Sequence, residues 1–193
     1  MTRKFVGMPP DFVGLENYIR LASDGFFQRA VWNSVIFTFG SVIFKLVLGM
    51  TMALVLTSKI RFRNLFTGIL LVPWVAPTVV SALNFLWIYD GSLGVLNYLL
   101  VNVLRILPQG VGWLSEAGTA MAAVIFVNIW RGFPFFGISF LAGIKAIPGE
   151  LYEAASVDGA NAFQRFVHVT LPGLRTIVII VVLVLALVAY PFC

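Results

Sequence analysis

At 193 residues, with 60% hydrophobic and only 11% charged side chains and a mean hydropathy of +0.98, the chain lies far from the roughly 45–50% apolar, 25% charged balance of a soluble domain. Its net charge of +5 is scattered rather than gathered into a stripe, which argues against nucleic acid as a partner and for the cationic loops of an integral membrane protein. The lone Cys193 offers no internal disulfide, and the lone His168 has no second His or Cys with which to build a zinc site.

Residues 1–30 read as an extracytoplasmic amphipathic segment, and 31–193 as a partial transmembrane domain. Apolar blocks follow in order at 31–57, 65–89, 117–144 and 173–193. The first carries a single charge, Lys45; the second carries Pro73 and Pro77; the third carries Arg131 and Pro134; the fourth holds the unbroken run from Ile177 to Ala189. A crossing needs about 20 apolar residues. These blocks lack the alternation of barrel strands, so helices are the remaining way to satisfy their backbones in lipid. The predicted fold class is an all-α integral membrane protein with about four transmembrane helices.

Lys59, Arg61 and Arg63 crowd the first connection, whereas the longer segment 90–116 holds only Arg105 among cations. The first loop is therefore expected inside, the second outside, and 145–172 inside, in agreement with Lys145, Arg165 and Arg175. Residues 1–30 then fall outside. An external amino terminus carrying Arg3, Lys4, Arg20 and Arg29, with no signal peptide, calls for a preceding helix. The ending Tyr190-Pro191-Phe192-Cys193 is as abrupt, so the sequence predicts a fragment lacking one helix before and at least one after.

Inside the spans, Gly49 and Ala53 form a small-xxx-small pair, a pattern frequent by chance. Lys45 has no acidic partner in any visible span. It reads either as a functional charge or, more commonly, as a side chain that snorkels or faces a polar subunit seam. Pro73 and Pro77 should bend the second span, and Asn84, Trp87 and Tyr89 sit where headgroup anchors occur. In the third span Asn128, Gly132 and Phe135 share a helix face, while Pro134 leaves the Trp130 carbonyl without its helical donor. Amide and ring together suit a neutral polyol; Trp130 and Arg131 fit either a substrate path or an interface anchor.

The segment 145–172 predicts two short helices. Pro148 opens the first, Glu150 and Glu153 lie near its positive end, and Leu151, Ala154 and Ala155 form one flat side. Asp158-Gly159 turns the chain. Phe163, Phe166 and Val167 make the apolar face of the second helix, which Pro172 is expected to stop before opening the last span. Periodicity alone is equally compatible with an ordinary interfacial helix pair.

Glu153-Ala154-Ala155, Gly159 and Val169-Thr170-Leu171-Pro172, in this spacing, resemble the EAA motif of bacterial ABC-importer permeases, with Val169 where isoleucine is commoner. The run from Ala146 to Ala160 looks like the carbohydrate-uptake branch, including maltose-type and glycerol-phosphate-type permeases. Gly14-Leu15-Glu16-Asn17-Tyr18, Asn33 with Ser34, and Gly94-Val95-Leu96-Asn97 look like the first of the two permease subunits there. The resemblance covers nearly the whole chain. It implies a MetI-like permease core in a bacterial inner membrane, and an importer of a sugar or related polyol.

The same resemblance implies that Glu153, Ala154, Ala155, Asp158, Gly159, Leu171 and Pro172 couple the membrane helices to a separate ATPase. It also implies that Asn128 to Pro134 is similar to the segment lining the mid-membrane sugar site, with Asn128, Gly132 and Phe135, and then Trp130 and Arg131, on the substrate path. The implied partners are a second permease subunit, two ATPase subunits, an extracytoplasmic solute-binding protein and membrane lipid. The chain lacks a G-x-x-x-x-G-K-[ST] loop, so ATP and Mg are expected on the partner ATPase, with no cofactor on this chain and no enzyme activity of its own. The competing readings are a truncated, non-transporting permease, a permease for another small solute, and a secondary transporter. The last lacks the paired intramembrane acids that ion coupling needs.

Overall fold

The structure, a computed structural model, describes residues 2–3, 11–12, 14–58 and 61–189, with side chains described from 14 to 58 and from 61 to 183. Lys4, Lys59 and residues 190–193 of the sequence reading lie outside that set. Apart from an antiparallel pairing of β1 (Thr2–Arg3) with β2 (Asp11–Phe12), the described chain is helical.

Helix α1 (Glu16–Ser23) is short and surface-lying, with an Arg20–Glu16 ion pair at 3.2 Å one turn apart. Asp24 then caps α2 (Gly25–Thr57), its carboxylate accepting from the backbone N–H of Phe26 at 2.7 Å and of Phe27 at 3.3 Å. At 33 residues, α2 is about 50 Å long and outreaches a hydrocarbon core of about 30 Å.

The second apolar block is not one rod. It divides into α3 (Arg63–Val75) and α4 (Thr78–Ile88), which meet at 89°. The bend lies at Ala76-Pro77, because a residue before proline is driven out of the helical region, and Ala76 is extended at ψ 134. Pro73 sits inside an unbroken α3. Outside the bilayer segments, α5 (Val95–Asn97) runs into a π-helical turn at Tyr98–Val103. Helix α6 (Ala117–Ala146) accommodates Pro134 without breaking.

After α7 (Gly149–Val157), helix α8 (Ala162–Arg165) continues through a π-helical stretch, Phe166–Thr170, into α9 (Leu171–Gly173). Pro172 therefore does not stop this helix, contrary to expectation. It lies in the final turn, and the chain bends by 58° one residue after α9, at Leu174, before α10 (Arg175–Ala189). A proline in a helix removes the bond its own N–H would make, but the next turn can still close. Leu174 donates to the Thr170 carbonyl at 3.0 Å. Among the described residues, α2 and α6 are single helices long and apolar enough to span a membrane, whereas α3 with α4, and α8–α9 with α10, reach that measure only if each bent pair is taken as one span.

The core is the crossing of α2 and α6. Ser41, Lys45, Gly49, Met52, Ala53 and Leu56 form the buried stripe of α2 at the three-and-four spacing of one helix face. They meet Phe136, Phe140, Leu141 and Ile144 of α6, with Leu174 and Val181 closing the cluster. Glycines bring the backbones together. A Cβ at Gly49 would stand 2.5 Å from Phe136 Cβ and 3.0 Å from the Gly137 nitrogen, and one at Gly137 would collide with Met52 Sδ. Between apolar helices in lipid, such close approach supplies the van der Waals contact that holds them. The Gly49–Ala53 pair thus marks a real crossing.

Candidate functional site

The hairpin α7–α9 is built as one body. Its turn is a left-handed C-cap: Gly159 has φ +78, its N–H reaches the Ser156 carbonyl at 3.1 Å, and the Ala160 N–H reaches the Ala155 carbonyl at 2.9 Å. Asn161 and Gln164 form a capping box that starts α8, with bonds of 2.9 and 2.8 Å. Two further bonds join the arms. The Tyr152 and Thr170 hydroxyls share one at 2.9 Å, and Arg165 Nη1 donates to Ser156 Oγ at 2.7 Å.

Most of the braced hairpin's surface is nonetheless bare. Glu153, Ala154, Asp158, Gly159, Leu171 and Pro172 are exposed and Ala155 is half-buried, while Val157 and Phe163 are 88% and 73% exposed. The base is anchored instead. Leu174 is fully buried, a Cβ at Gly173 would stand 2.6 Å from Ile147 Cδ1, and one at Gly143 would collide with Ile177 and Leu174. A groove lined by Gly143, Ile147, Leu151, His168, Pro172 and Ile177 separates hairpin from stem. Pro148 caps α7 from outside rather than occupying its first turn, and of the two glutamates only Glu150 lies in that turn.

A second cluster lies in the membrane. Lys45 does not snorkel: it is 3% exposed and donates a hydrogen bond from Nζ to Asn128 Oδ1 of α6, within this chain. Gly132 makes room for it, since a Cβ there would stand 2.5 Å from Lys45 Cε. Asn128 and Gly132 thus pack against α2, whereas Phe135 turns to α3 and stacks on Trp74, ring centroids 5.9 Å apart. Trp130 meets the edge of Phe85 at 5.1 Å, and Arg131 Nε is buried without a hydrogen-bond partner among the described residues. A charge at the centre of a spanning helix costs at least about 2.5–3.5 kcal/mol, so the Lys45–Asn128 contact has a position to justify. Periodicity on single helices missed it because it is made across 83 residues of sequence.

Outside, Asn97 knits segment 90–113 together. Its Nδ2 donates to the carbonyls of Gly91 and Val111, both at 2.9 Å, and its Oδ1 accepts from Val111 N–H at 3.1 Å and Trp113 Nε1 at 2.9 Å. Tyr89 is buried beside it, donating to the Ala123 carbonyl at 3.3 Å and packing on Trp113. It is not the headgroup anchor that its position suggested. Asp90 accepts from Leu93 and Ser92 N–H at 2.7 and 2.9 Å, which holds its carboxyl below the usual range.

The profile of the family described as "Binding-protein-dependent transport system inner membrane component" matches residues 45–190. The chain belongs to this family. It is 38% identical over 169 residues to the trehalose/maltose transport system permease protein MalF of Thermococcus litoralis, covering 88% of this chain and 56% of that relative. It is 36% identical over 171 residues to the inner membrane ABC transporter permease protein YcjO of Escherichia coli, covering 89% and 58%. With the arabinooligosaccharides transport system permease protein AraP of Bacillus subtilis the identity is 35%, covering 88% and 54%. Among solved structures, a bacterial ABC transporter involved in the import of the acidic polysaccharide alginate superposes with a TM-score of 0.76 at 25% identity, covering 90% of this chain and 60% of that one. The chain spans a little over half the length of these curated relatives. Its MetI-like, all-helical permease fold and its kinship with carbohydrate ABC permeases are thereby established, and the family is one of the inner membrane.

Proposed function

We propose that this permease is the transmembrane subunit of an ATP-driven importer that carries a sugar or related polyol inward. A separate ATPase, holding ATP and Mg, grips the exposed face of α7 at Glu153, Ala154, Ala155, Asp158 and Gly159, with Leu171 and Pro172 at the hairpin's base. The observation that carries the reading is the contrast between a bare small-residue face and a braced interior. Coupling needs a rigid element that meets its partner differently in two states. The bonds across the hairpin supply rigidity, and the packing of Gly173 on Ile147 and of Leu174 in the core passes a push from α7 to α6 and α10.

Asn128, Gly132 and Phe135, with Trp130 and Arg131, line the route in this reading. A second permease subunit completes the path, and an extracytoplasmic solute-binding protein delivers the cargo. The related alginate transporter, described in complex with a pentasaccharide-bound periplasmic protein, supports that arrangement.

The test is Ala154→Trp in the assembled transporter. A bulky side chain on the exposed face should abolish binding-protein-stimulated ATP hydrolysis and release the ATPase on purification, with the permease still inserted. Unchanged coupling and retention of the ATPase would defeat the proposal.

A further inference from the structure

The seam between α2 and α6 holds more positive charge and more hydrogen-bond donors than its own packing uses. Lys45 gives one ammonium proton to Asn128 Oδ1, which leaves its other two, and the amide protons of Asn128, without an acceptor among the described residues. The amide protons of Asn128 are thus free to donate to a ligand. Ser41 Oγ, one turn before Lys45 on the same buried stripe, has no partner, and neither does Arg131 Nε. Arg131, next to Gly132 on α6, adds a second positive charge to this stretch, and among the described residues no carboxylate pairs with either cation.

Gly132 leaves room for the lysine where it lies: a Cβ there would stand 2.5 and 3.0 Å from Lys45 Cε and Nζ, so a larger residue would push the end of that side chain aside. A neutral hydroxyl beside this pair would satisfy one donor and leave the charge uncompensated in a low-dielectric setting. A carboxylate satisfies several donors and the charge together.

We propose that Lys45 and Asn128 form a subsite for an anionic substituent, a carboxylate or similar oxyanion, on the transported sugar, and that Lys45 sets the preference for charged over neutral cargo. This rests on the importer reading above and replaces the neutral polyol that Asn128 and Phe135 alone suggested.

The experiment uses the complete transporter with its own solute-binding protein. The sugar that protein carries is identified by mass spectrometry and then used as the uptake substrate, beside its carboxyl-reduced counterpart. An anionic sugar is expected. Lys45→Gln should raise the KM for its uptake about tenfold or more, as for a lost hydrogen bond to a charged group, while Lys45→Arg recovers most of it. The reduced sugar should be handled equally by wild type and Lys45→Gln.

A neutral natural sugar overturns the proposal, as does equal loss of both sugars in Lys45→Gln, the signature of a merely structural lysine. If Lys45→Gln fails to assemble, the identity of the carried sugar and the Lys45→Arg comparison still decide. Wild-type transporter with no ATP-dependent uptake of any sugar would remove the importer reading, and this one with it.

Discussion

Gly159 offers the cleanest perturbation of the α7–α9 hairpin and of its proposed coupling role, because strain can be separated from crowding there. A Cβ at Gly159 meets nothing within 4 Å, yet its φ is +78. A substitution therefore adds only the cost of a left-handed backbone, about 1–2 kcal/mol for a residue with a Cβ, less for Asn and more for a β-branched residue. One or two kcal/mol is a factor of about 5–30 in an equilibrium, here between the closed turn and an opened one. The turn lies between Ser156 and Arg165, so opening it also breaks their bond at 2.7 Å and frees the face of α7.

The assay is ATP hydrolysis by the reconstituted transporter, stimulated by its loaded binding protein, alongside hydrogen exchange at the Gly159 and Ala160 amides. Coupling should fall in the order Gly159→Asn, Gly159→Ala, Gly159→Val, and exchange should speed up in the same order. Equal coupling in the Asn and Val variants would refute the reasoning, since it would mean that turn geometry does not hold the docking face.

The helix crossing predicts a paired result. Gly49→Leu drives atoms into Phe136 Cβ and the Gly137 backbone, at 2.5 and 3.0 Å from the first added carbon, and should destabilise by at least the about 1–3 kcal/mol typical of overpacking. Gly68→Leu, with open space around it, should leave the melting temperature in detergent unchanged; similar losses in both would contradict the assigned seam. Asp90 predicts a pH effect in the external segment. Its folded pKa lies below the ordinary 3.8, so its contribution is complete above that value and is lost as pH falls through the folded one. Protection of the Ser92 and Leu93 amides should drop on acidification below about pH 4, and Asp90→Asn should show a flatter profile; identical profiles would exclude Asp90 as the cause.

Composition and local spacing were enough for the membrane class, the apolar blocks and the hairpin turn. Each is governed by rules that act over a few residues: hydrocarbon demands unbroken apolar runs, and a helix ending in a left-handed turn demands a residue such as Gly159. The proline readings show where local rules stop. Pro73, Pro77, Pro134 and Pro172 look alike in sequence, but only at Pro77 does the chain turn sharply just before the ring. A lost backbone bond can be absorbed or released, and neighbouring packing decides which.

The sequence by itself determined what dissolves in lipid, where the apolar blocks lie, and which stretch resembles the EAA motif. Only the tertiary structure decided that Lys45, alone in its span, is matched by Asn128 and Gly132 from a helix far along the chain, and that Gly49 and Gly137 lie at a crossing rather than scattered by chance. The reason is that a single helix's periodicity reports which residues share a face, whereas a buried cation or a missing Cβ acquires meaning only from the surface pressed against it.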